Sequence, residues 1–320
     1  MVKLAIVVPC YNEEEVLNET SKRLLSVIDK LVHNNKISPE SYILFVNDGS
    51  KDNTWMIISE LHELNDTFCG LSVSRNVGHQ KALLAGLEFV SDKCDVAISI
   101  DADLQDDVNA IEEMIDKHAQ GNDIVYGVRS SREKDSFFKK HTALVFYKLM
   151  SALGVETVYN HADFRLMSSR ALNALLEYKE RNLFLRGIMP LIGYQTDKVY
   201  YKRDARFAGT SKYPFNKMLS FAINGITSFS VKPLRIISLV GVISLIISLI
   251  SLIYILISYF SGNIIQGWSS MMASIWFIGS LIIISLGVIG EYVGKIYIEV
   301  KERPLFNIEK TLFKDDKTKL

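Results

Sequence analysis

A long stretch of this 320-residue sequence lacks charge altogether, and that absence excludes a fully soluble protein. Residues 236 to 290, 55 consecutive positions, contain no Asp, Glu, Lys or Arg. A helix on the surface of a soluble domain needs a polar face, whereas a membrane-spanning helix is apolar over about 20 residues. We therefore expect a soluble N-terminal part followed by a membrane part. A secreted disulfide scaffold and a disordered chain are excluded as well.

Other absences narrow the classes of function. The 36 basic and 36 acidic residues balance, so no general affinity for nucleic acid is expected. The three cysteines are odd in number and lack metal-ligand spacing, which favours reduced thiols in a cytosolic domain. Neither G-x-G-x-x-G nor G-x-x-x-x-G-K occurs, so nicotinamide and P-loop sites have no support. The N-terminus has no signal-peptide layout, so we expect the soluble part to stay in the cytoplasm.

Short apolar runs alternate with helical patterns over the first 130 residues, as in repeated βαβ units. The runs predict strands at 4–8, 42–47, 71–74, 96–100 and 124–128, and the patterns between them predict helices at 13–33, 54–64, 79–90 and 108–119. The expected fold is α/β, with a mostly parallel, doubly wound, Rossmann-like sheet. In such sheets ligands bind beyond the carboxyl ends of the strands.

The rest of the chain is predicted to be helical and then membrane-bound. Residues 136–193 have a mainly helical pattern, 198–206 predict a short strand or hairpin, and two spans are predicted at 236–260 and 271–290. Basic residues flank both spans but are missing from the connection between them, which predicts that both termini are cytoplasmic. The expected domains are a catalytic domain at 1–213, an interfacial segment at 214–232, two transmembrane helices within 233–295 and a cytoplasmic tail at 296–320.

The segment just ahead of the first span is strongly basic. Between residues 196 and 235 the sequence has eight Lys or Arg residues and two Asp residues. Such a cluster attracts anionic lipid headgroups in general. It could equally grip the phosphate of a lipid substrate, and the two explanations are compatible.

Two acids follow the fourth predicted strand in the segment IDADLQDD. Asp101 and Asp103 lie where the chain leaves the sheet, and two carboxylates there repel each other unless they share a cation. A divalent ion with oxygen ligands, Mg²⁺ or Mn²⁺, is the expected partner, and Gln105 could add a neutral oxygen. A solvated loop is the alternative for D-x-D taken alone.

The ends of the first and second strands are polar as well. Pro9, Tyr11 and Glu13 could line a pocket for a nucleoside, although acids here also suit the start of a helix. Asp48 could accept the ring N–H of a base, while Asp52 is better explained as a helix cap.

Taken together, the motifs resemble those of glycosyltransferase family 2, whose fold is GT-A. PCYNEEE, VNDGSKDNT, SRNVGHQKA and DADLQDD occur in order, followed by YGVRSSR, ADFRLMS, NLFLRG, RFAGTSKYP and a two-helix hairpin. This combination is similar to the polyprenyl-phosphate glycosyltransferases, relatives of dolichol-phosphate mannose synthase and of bacterial bactoprenol glucosyltransferases. Q-x-x-R-W is absent, which argues against a processive polysaccharide synthase.

The resemblance implies a role for each matching residue. Asp101, Asp103 and Gln105 would hold the metal, and Pro9, Tyr11, Glu13 and Asp48 would line the nucleoside pocket. Arg129 or Arg132, with Arg206, Ser211 and Lys212, would bind the acceptor phosphate, and Asp163 would bind or orient on the acceptor or sugar side. Asp101, Asp103, Asp163 and Arg129 are the residues expected to carry catalysis.

The expected activity is inverting transfer of one sugar to undecaprenyl or another polyprenyl phosphate, which would supply a lipid-linked donor for surface glycosylation. A UDP-hexose such as UDP-glucose is favoured as donor over GDP-mannose. The attacking phosphate is already largely dianionic near neutral pH, since its second pKa is roughly 6, so no strong base is needed. Two alternatives stay open: a different lipid or glycan acceptor, and a non-catalytic membrane partner on this scaffold. Gly279, Gly287, Gly290 and Gly294 would allow close helix contacts in a homo-oligomer.

Overall fold

The computed structural model describes residues 1–130, 161–181, 184–202, 230–261 and 267–313. These residues belong to two compact units. The first contains the N-terminal part of the chain together with residues 303–313, and the second contains residues 230–261 and 267–302. Four expected phosphate-binding residues, Arg132, Arg206, Ser211 and Lys212, and almost all of the expected interfacial segment lie outside the described residues.

The first unit alternates strands and helices as the apolar runs predict. Its elements are β1 (Leu4–Cys10), α1 (Leu17–His33), β2 (Tyr42–Asn47), α2 (Thr54–Leu64), β3 (Phe68–Val73), α3 (His79–Val90), β4 (Val96–Ser99), α4 (Ala110–Ala119), β5 (Ile124–Arg129), β6 (His161–Ser168), α5 (Ser169–Leu176), α6 (Leu185–Ile188), a 3-10 turn (Met189–Ile192), β7 (Thr196–Tyr201) and β8 (Ile308–Leu312). All residues of β1, β2, β3 and β4 are buried, as expected for strands covered on both faces.

One eight-stranded sheet forms the core, in the order β7-β5-β6-β4-β1-β2-β3-β8. β1 pairs in parallel with β2 and β4, β2 with β3, and β5 with β7. Among the strands of the described residues, only β6 and β8 run antiparallel to their neighbours. The predicted α/β class with a mostly parallel sheet is therefore confirmed, and six strands direct their carboxyl ends to one edge, which we call the carboxyl edge.

The helical prediction for 136–193 is wrong at β6, which lies in the middle of the sheet. Its apolar residues Phe164 and Leu166 belong to the hydrophobic core, and they alternate with the charged residues Asp163 and Arg165. This is the two-residue period of a strand. Both charged residues are buried, and they pair with each other.

After the apolar hairpin the chain returns to the sheet and adds the strand β8, which was not predicted from the sequence. β8 pairs antiparallel with β3, so that Gly70 lies opposite Leu312. Phe313 follows, and its ring packs edge-on against the rings of Tyr42 and Phe89, with centroids 5.2 Å and 5.6 Å away. Residues 303–313 are thus part of the first unit, and β8 covers an edge of β3 that would otherwise be open.

The second unit contains two long apolar helices, α7 (Lys232–Phe260) and α8 (Trp268–Val300). Both contain stretches long and apolar enough to cross a membrane: Lys232–Ser251, with a mean hydropathy of 2.4, and Ser274–Val300, with 1.9. Both helices extend beyond the predicted spans. α8 continues ten residues past Gly290 and carries Glu291, Lys295 and Glu299 on this extension.

Candidate active site

The candidate site lies at the carboxyl edge, where β4 ends and β6 begins. In the antiparallel pair of these strands Ser99 lies opposite Arg165. The hydroxyl of Ser99 also donates a hydrogen bond to the backbone oxygen of Asp163, at 2.5 Å. Because the strands are antiparallel, this register brings Asp101, two residues after Ser99, close to Asp163, two residues before Arg165. Residues 62 positions apart in sequence therefore share one site.

Asp163 is a buried carboxylate surrounded by cations. Arg165 donates to its Oδ1 at 2.5 Å, and Arg186 of α6 donates to both of its oxygens, at 3.2 Å and 3.0 Å. Burial alone would raise the pKa of Asp163, but Arg186, His79 and Arg165 outweigh it and hold that pKa well below its usual range. Asp163 is thus a fixed anion, which suits binding and orientation better than proton abstraction.

Asp101 faces the same centre but has a different environment. Its Oδ1 is shut off from solvent and accepts no hydrogen bond from the described residues, although 32% of the side chain is exposed. Nε2 of His79 lies 3.4 Å from this oxygen and 3.6 Å from Oδ2 of Asp163. Burial raises the pKa of Asp101 to about 6, with His79 opposing the shift and Asp163 adding to it.

His79 is the first residue of α3, and its imidazole lies between the two carboxylates. Burial lowers its pKa, but the nearby carboxylates of Asp163 and Asp101 outweigh burial and raise that pKa to about 9. The ring therefore carries a positive charge at neutral pH. His79 belongs to the motif SRNVGHQKA, but nothing in the sequence alone gave this residue a role.

The segment after β4 suits a divalent ion that shares its ligands with a diphosphate. The side chain of Asp101 is 32% exposed at the end of β4, and Asp103 follows two residues later in a tight turn, where its Oδ1 accepts the backbone N–H of Gln105 at 3.2 Å. Leu104 between them has φ +56°, a strained value for a residue with a side chain. No three His, Cys, Asp or Glu residues of the described chain form a complete metal site. Mg²⁺ is commonly held by one or two carboxylates plus substrate phosphates, so Asp101 and Asp103 fit such an ion.

Arg129, expected to be catalytic, is anchored at the end of β5 by Asp106. Its guanidinium donates to Oδ1 of Asp106 through Nε at 3.3 Å and Nη2 at 3.1 Å, and the hydroxyl of Tyr201 donates to the same oxygen at 2.6 Å. Asp106 is buried and lies in the same loop as Asp101 and Asp103. This contact links the metal-side loop to the ends of β5 and β7. Asp106 could not be singled out beforehand, because the acids of this loop look alike in sequence.

The residues expected to bind the nucleoside gather at the ends of β1 and β2. Pro9 is buried, Tyr11 and Glu13 are half-buried, and the backbone N–H of Glu13 donates to the hydroxyl of Thr54 at 2.9 Å. The buried carboxylate of Asp48 accepts the backbone N–H groups of Val77 and Gly78, at 2.7 Å and 3.0 Å. Burial raises the pKa of Asp48, and these two hydrogen bonds work against the shift.

Asp48 therefore supports the loop between β3 and α3, in addition to any contact with a base. Gly49 lets that loop approach, because its φ is +61° and a Cβ would lie 2.6 Å from the backbone of Arg75 and Asn76. The loop ends at His79, and the side chain of Gln80 accepts the backbone N–H of Leu185 at 3.1 Å. The start of α3 thus connects the nucleoside side of the edge to α6.

Comparison with known proteins adds two family matches and a set of close relatives. Residues 5–176 match the model described as glycosyl transferase family 2, and residues 232–296 match the GtrB C-terminal hairpin. An uncharacterised glycosyltransferase of Bacillus subtilis, YkoT, is 51% identical over 98% of this chain and 93% of its own length. A prophage-derived bactoprenol glucosyl transferase of Shigella flexneri is 41% identical over 97% of this chain and 98% of its own. An uncharacterised glycosyltransferase of Synechocystis is 40% identical over 95% and 94%.

Proposed function

The chain belongs to glycosyl transferase family 2 and ends in a GtrB C-terminal hairpin, and from this premise we propose that it transfers a single sugar to a polyprenyl phosphate at the membrane. A relative of nearly equal length is named a bactoprenol glucosyl transferase, which supports a glucosyl donor and a bactoprenol acceptor. The observation that carries the proposal is the combination in one chain of a carboxylate site at the carboxyl edge with two helices apolar enough to span a membrane.

The donor binds at the ends of β1, β2 and β4 in this proposal. Pro9, Tyr11, Glu13 and Asp48 line the nucleoside pocket, with a UDP-hexose favoured. Asp101 and Asp103, with Gln105 as a further oxygen ligand, hold Mg²⁺ or Mn²⁺ against the diphosphate. When bound, the ion neutralises the negative charge of the departing nucleoside diphosphate.

The acceptor brings its own nucleophile. A phosphate monoester is largely dianionic at neutral pH, because its second pKa is about 6, so its oxygen can attack the anomeric carbon without losing a proton. Asp163, held as an anion by Arg165 and Arg186, orients groups on the acceptor or sugar side and takes no proton. Arg129 or Arg132 with Arg206, Ser211 and Lys212 offset the repulsion between two polyanions. Attack from the face opposite the leaving group inverts the anomeric centre.

The hairpin keeps the reaction at the bilayer. The described residues up to 202 and residues 303–313 belong to the same folded unit, in which β8 pairs with β3. If both helices span the membrane, both hairpin ends lie on the side of the catalytic unit. Basic residues flank the spans and are absent between them, which favours the cytoplasm for that side.

A transfer assay tests the proposal. Purified protein in detergent is incubated with undecaprenyl phosphate, Mn²⁺ or Mg²⁺, and a panel of radiolabelled UDP- and GDP-sugars, and label is followed into the organic phase. We expect one donor to be used, loss of transfer with EDTA, and a β-linked product from an α-linked donor. Failure of every donor with folded protein would contradict the proposal, whereas transfer only to a different acceptor would replace the polyprenyl phosphate.

A further inference from the structure

The two acids at the centre of the site are balanced by unequal sets of cations. Asp163 contacts Arg165 and Arg186, and these guanidinium groups together reach both of its oxygens. Asp101 has no such pairing, since no hydrogen bond from the described residues reaches its buried Oδ1. A buried carboxylate oxygen without a hydrogen bond is costly, and a second carboxylate nearby adds repulsion.

The imidazole of His79 stands between these acids. Its Nε2 lies 3.4 Å from Oδ1 of Asp101 and 3.6 Å from Oδ2 of Asp163. Both distances exceed the usual 2.7–3.2 Å of an N–H···O hydrogen bond, so the ring is shared between the acids and belongs to neither alone. The oxygen of Asp101 that lies nearest Nε2 of His79 is its buried Oδ1, while 32% of the Asp101 side chain is exposed.

The backbone around His79 fixes where its ring can go. Asp48 accepts the N–H groups of Val77 and Gly78, the two residues directly before it. Gly78 itself has φ +93°, a conformation that favours glycine. Gln80, directly after it, holds the backbone of Leu185 next to Arg186. The residues directly before and directly after His79 are thus held by hydrogen bonds, which restricts the position of the imidazole. Such support is usual for groups that orient a ligand residue.

We infer that His79 is a positioning residue for the metal site: it holds the buried oxygen of Asp101 and the carboxylate of Asp163 in place, so that Asp101 presents its other oxygen to a divalent cation. The inference rests on the proposed function, because it takes Asp101 as a metal ligand. It adds a residue to which neither the sequence motifs nor the comparisons assign a role. Partners that orient a metal ligand typically contribute about 10- to 100-fold to metal affinity.

Mn²⁺ binding tests this inference without relying on turnover. The full-length protein in detergent is titrated with Mn²⁺ alone and with saturating UDP or GDP, and free Mn²⁺ is followed by its electron paramagnetic resonance signal. We expect His79→Ala to weaken Mn²⁺ binding about 10-fold or more. His79→Gln, which keeps a nitrogen donor, should recover part of the loss. His33→Ala, at an exposed position at the end of α1, is the matched control and should bind as the unaltered protein does.

The outcomes separate the inference from the proposed function. If the unaltered protein binds Mn²⁺ and both His79 variants bind it equally well, the positioning role is wrong and the proposed function stands. If the unaltered protein binds no Mn²⁺ with either nucleotide, the metal site itself is wrong and the inference is overturned with it. If His79→Ala fails to fold, as judged by thermal melting without metal, the Mn²⁺ affinity of His79→Gln is compared with that of the unaltered protein. Weaker binding by His79→Gln supports the positioning role, and equal binding contradicts it.

Discussion

At the scale of single residues, the site is a group of opposed charges packed at the end of a sheet. Asp163 is neutralised by Arg165 and Arg186, Asp101 faces His79, and Asp106 holds Arg129. A lone buried charge is strongly unfavourable, so each acid is stable here because a cation lies beside it. The arrangement gives the three acids different roles, since Asp163 is a fixed anion, Asp101 is open on one side, and Asp106 is an anchor.

The ion pair between Asp123 and Arg170 lies away from the site and allows a pH test of the principle that a neighbouring cation stabilises a buried acid. Asp123 is buried and accepts hydrogen bonds from the side chains of Arg170 and Ser168. The hydrogen bonds from Arg170 come first among the causes that lower the pKa of Asp123 in the folded protein. Since the folded pKa lies below the unfolded value of about 3.9, the stabilisation is present above about pH 4 and is lost as pH falls through the folded pKa.

We therefore expect Asp123→Asn to lower thermal stability at pH 7. The loss should be about 1 kcal/mol, because Arg170 is largely exposed and solvent screens the pair. The difference in melting temperature between variant and unaltered protein should shrink below pH 4. The control is Asp92→Asn, which removes an exposed pair with Lys93 and should have little effect at any pH. A difference that stays constant down to pH 3 would contradict this assignment.

At the scale of elements, apolar runs bounded by polar strand ends allowed prediction of β1 to β5. A parallel strand that is buried on both faces is a nearly unbroken run of apolar residues in the sequence. β6 could not be predicted in this way, since Asp163 and Arg165 are buried only as a pair and look like surface residues in isolation. His79 and Arg186 could not be assigned either. Their roles depend on α3 and α6 reaching the carboxyl edge, and one sequence does not show that contact.

β8 is the other element that the sequence did not reveal, and its last contact is testable. Phe313 packs against Tyr42 and Phe89 and is 9% exposed. Truncation of a buried Phe costs roughly 3–5 kcal/mol, so Phe313→Ala should lower the unfolding free energy by about 3 kcal/mol.

The control is Ile308→Ala, at the start of β8. The side chain of Ile308 is 46% exposed, so this change should cost less than about 1 kcal/mol. Thermal melting of both variants in the same detergent gives the comparison. Equal losses would show that Phe313 does not secure the C-terminal segment to the sheet.

At the scale of the whole molecule, the chain leaves the catalytic unit, forms two apolar helices and returns to the same sheet. A membrane cannot pass through a folded sheet, so β8 and the N-terminal strands must lie on one side of it. This constraint predicts that the connection between α7 and α8 lies across the membrane from the catalytic unit, and the independent charge pattern predicts that this side is external.

Cysteine labelling tests this topology. In a background where Cys94 is replaced by Ser, Asn263→Cys in the connection should react with a membrane-impermeant maleimide added to intact cells. Lys317→Cys near the C-terminus should react only after the cells are opened. Labelling of Lys317→Cys in intact cells would contradict the predicted orientation.

Transfer of labelled sugar to undecaprenyl phosphate by loop variants tests the central claim most directly. Asp103→Asn removes a proposed metal ligand at a partly exposed turn, and Asp107→Asn changes a partly exposed acid four residues further along the same loop. Loss of a metal ligand removes several kcal/mol of transition-state stabilisation, so we expect Asp103→Asn to lower transfer about 100-fold or more. Asp107→Asn should stay within about threefold of the unaltered protein. Normal transfer by folded Asp103→Asn would contradict the account.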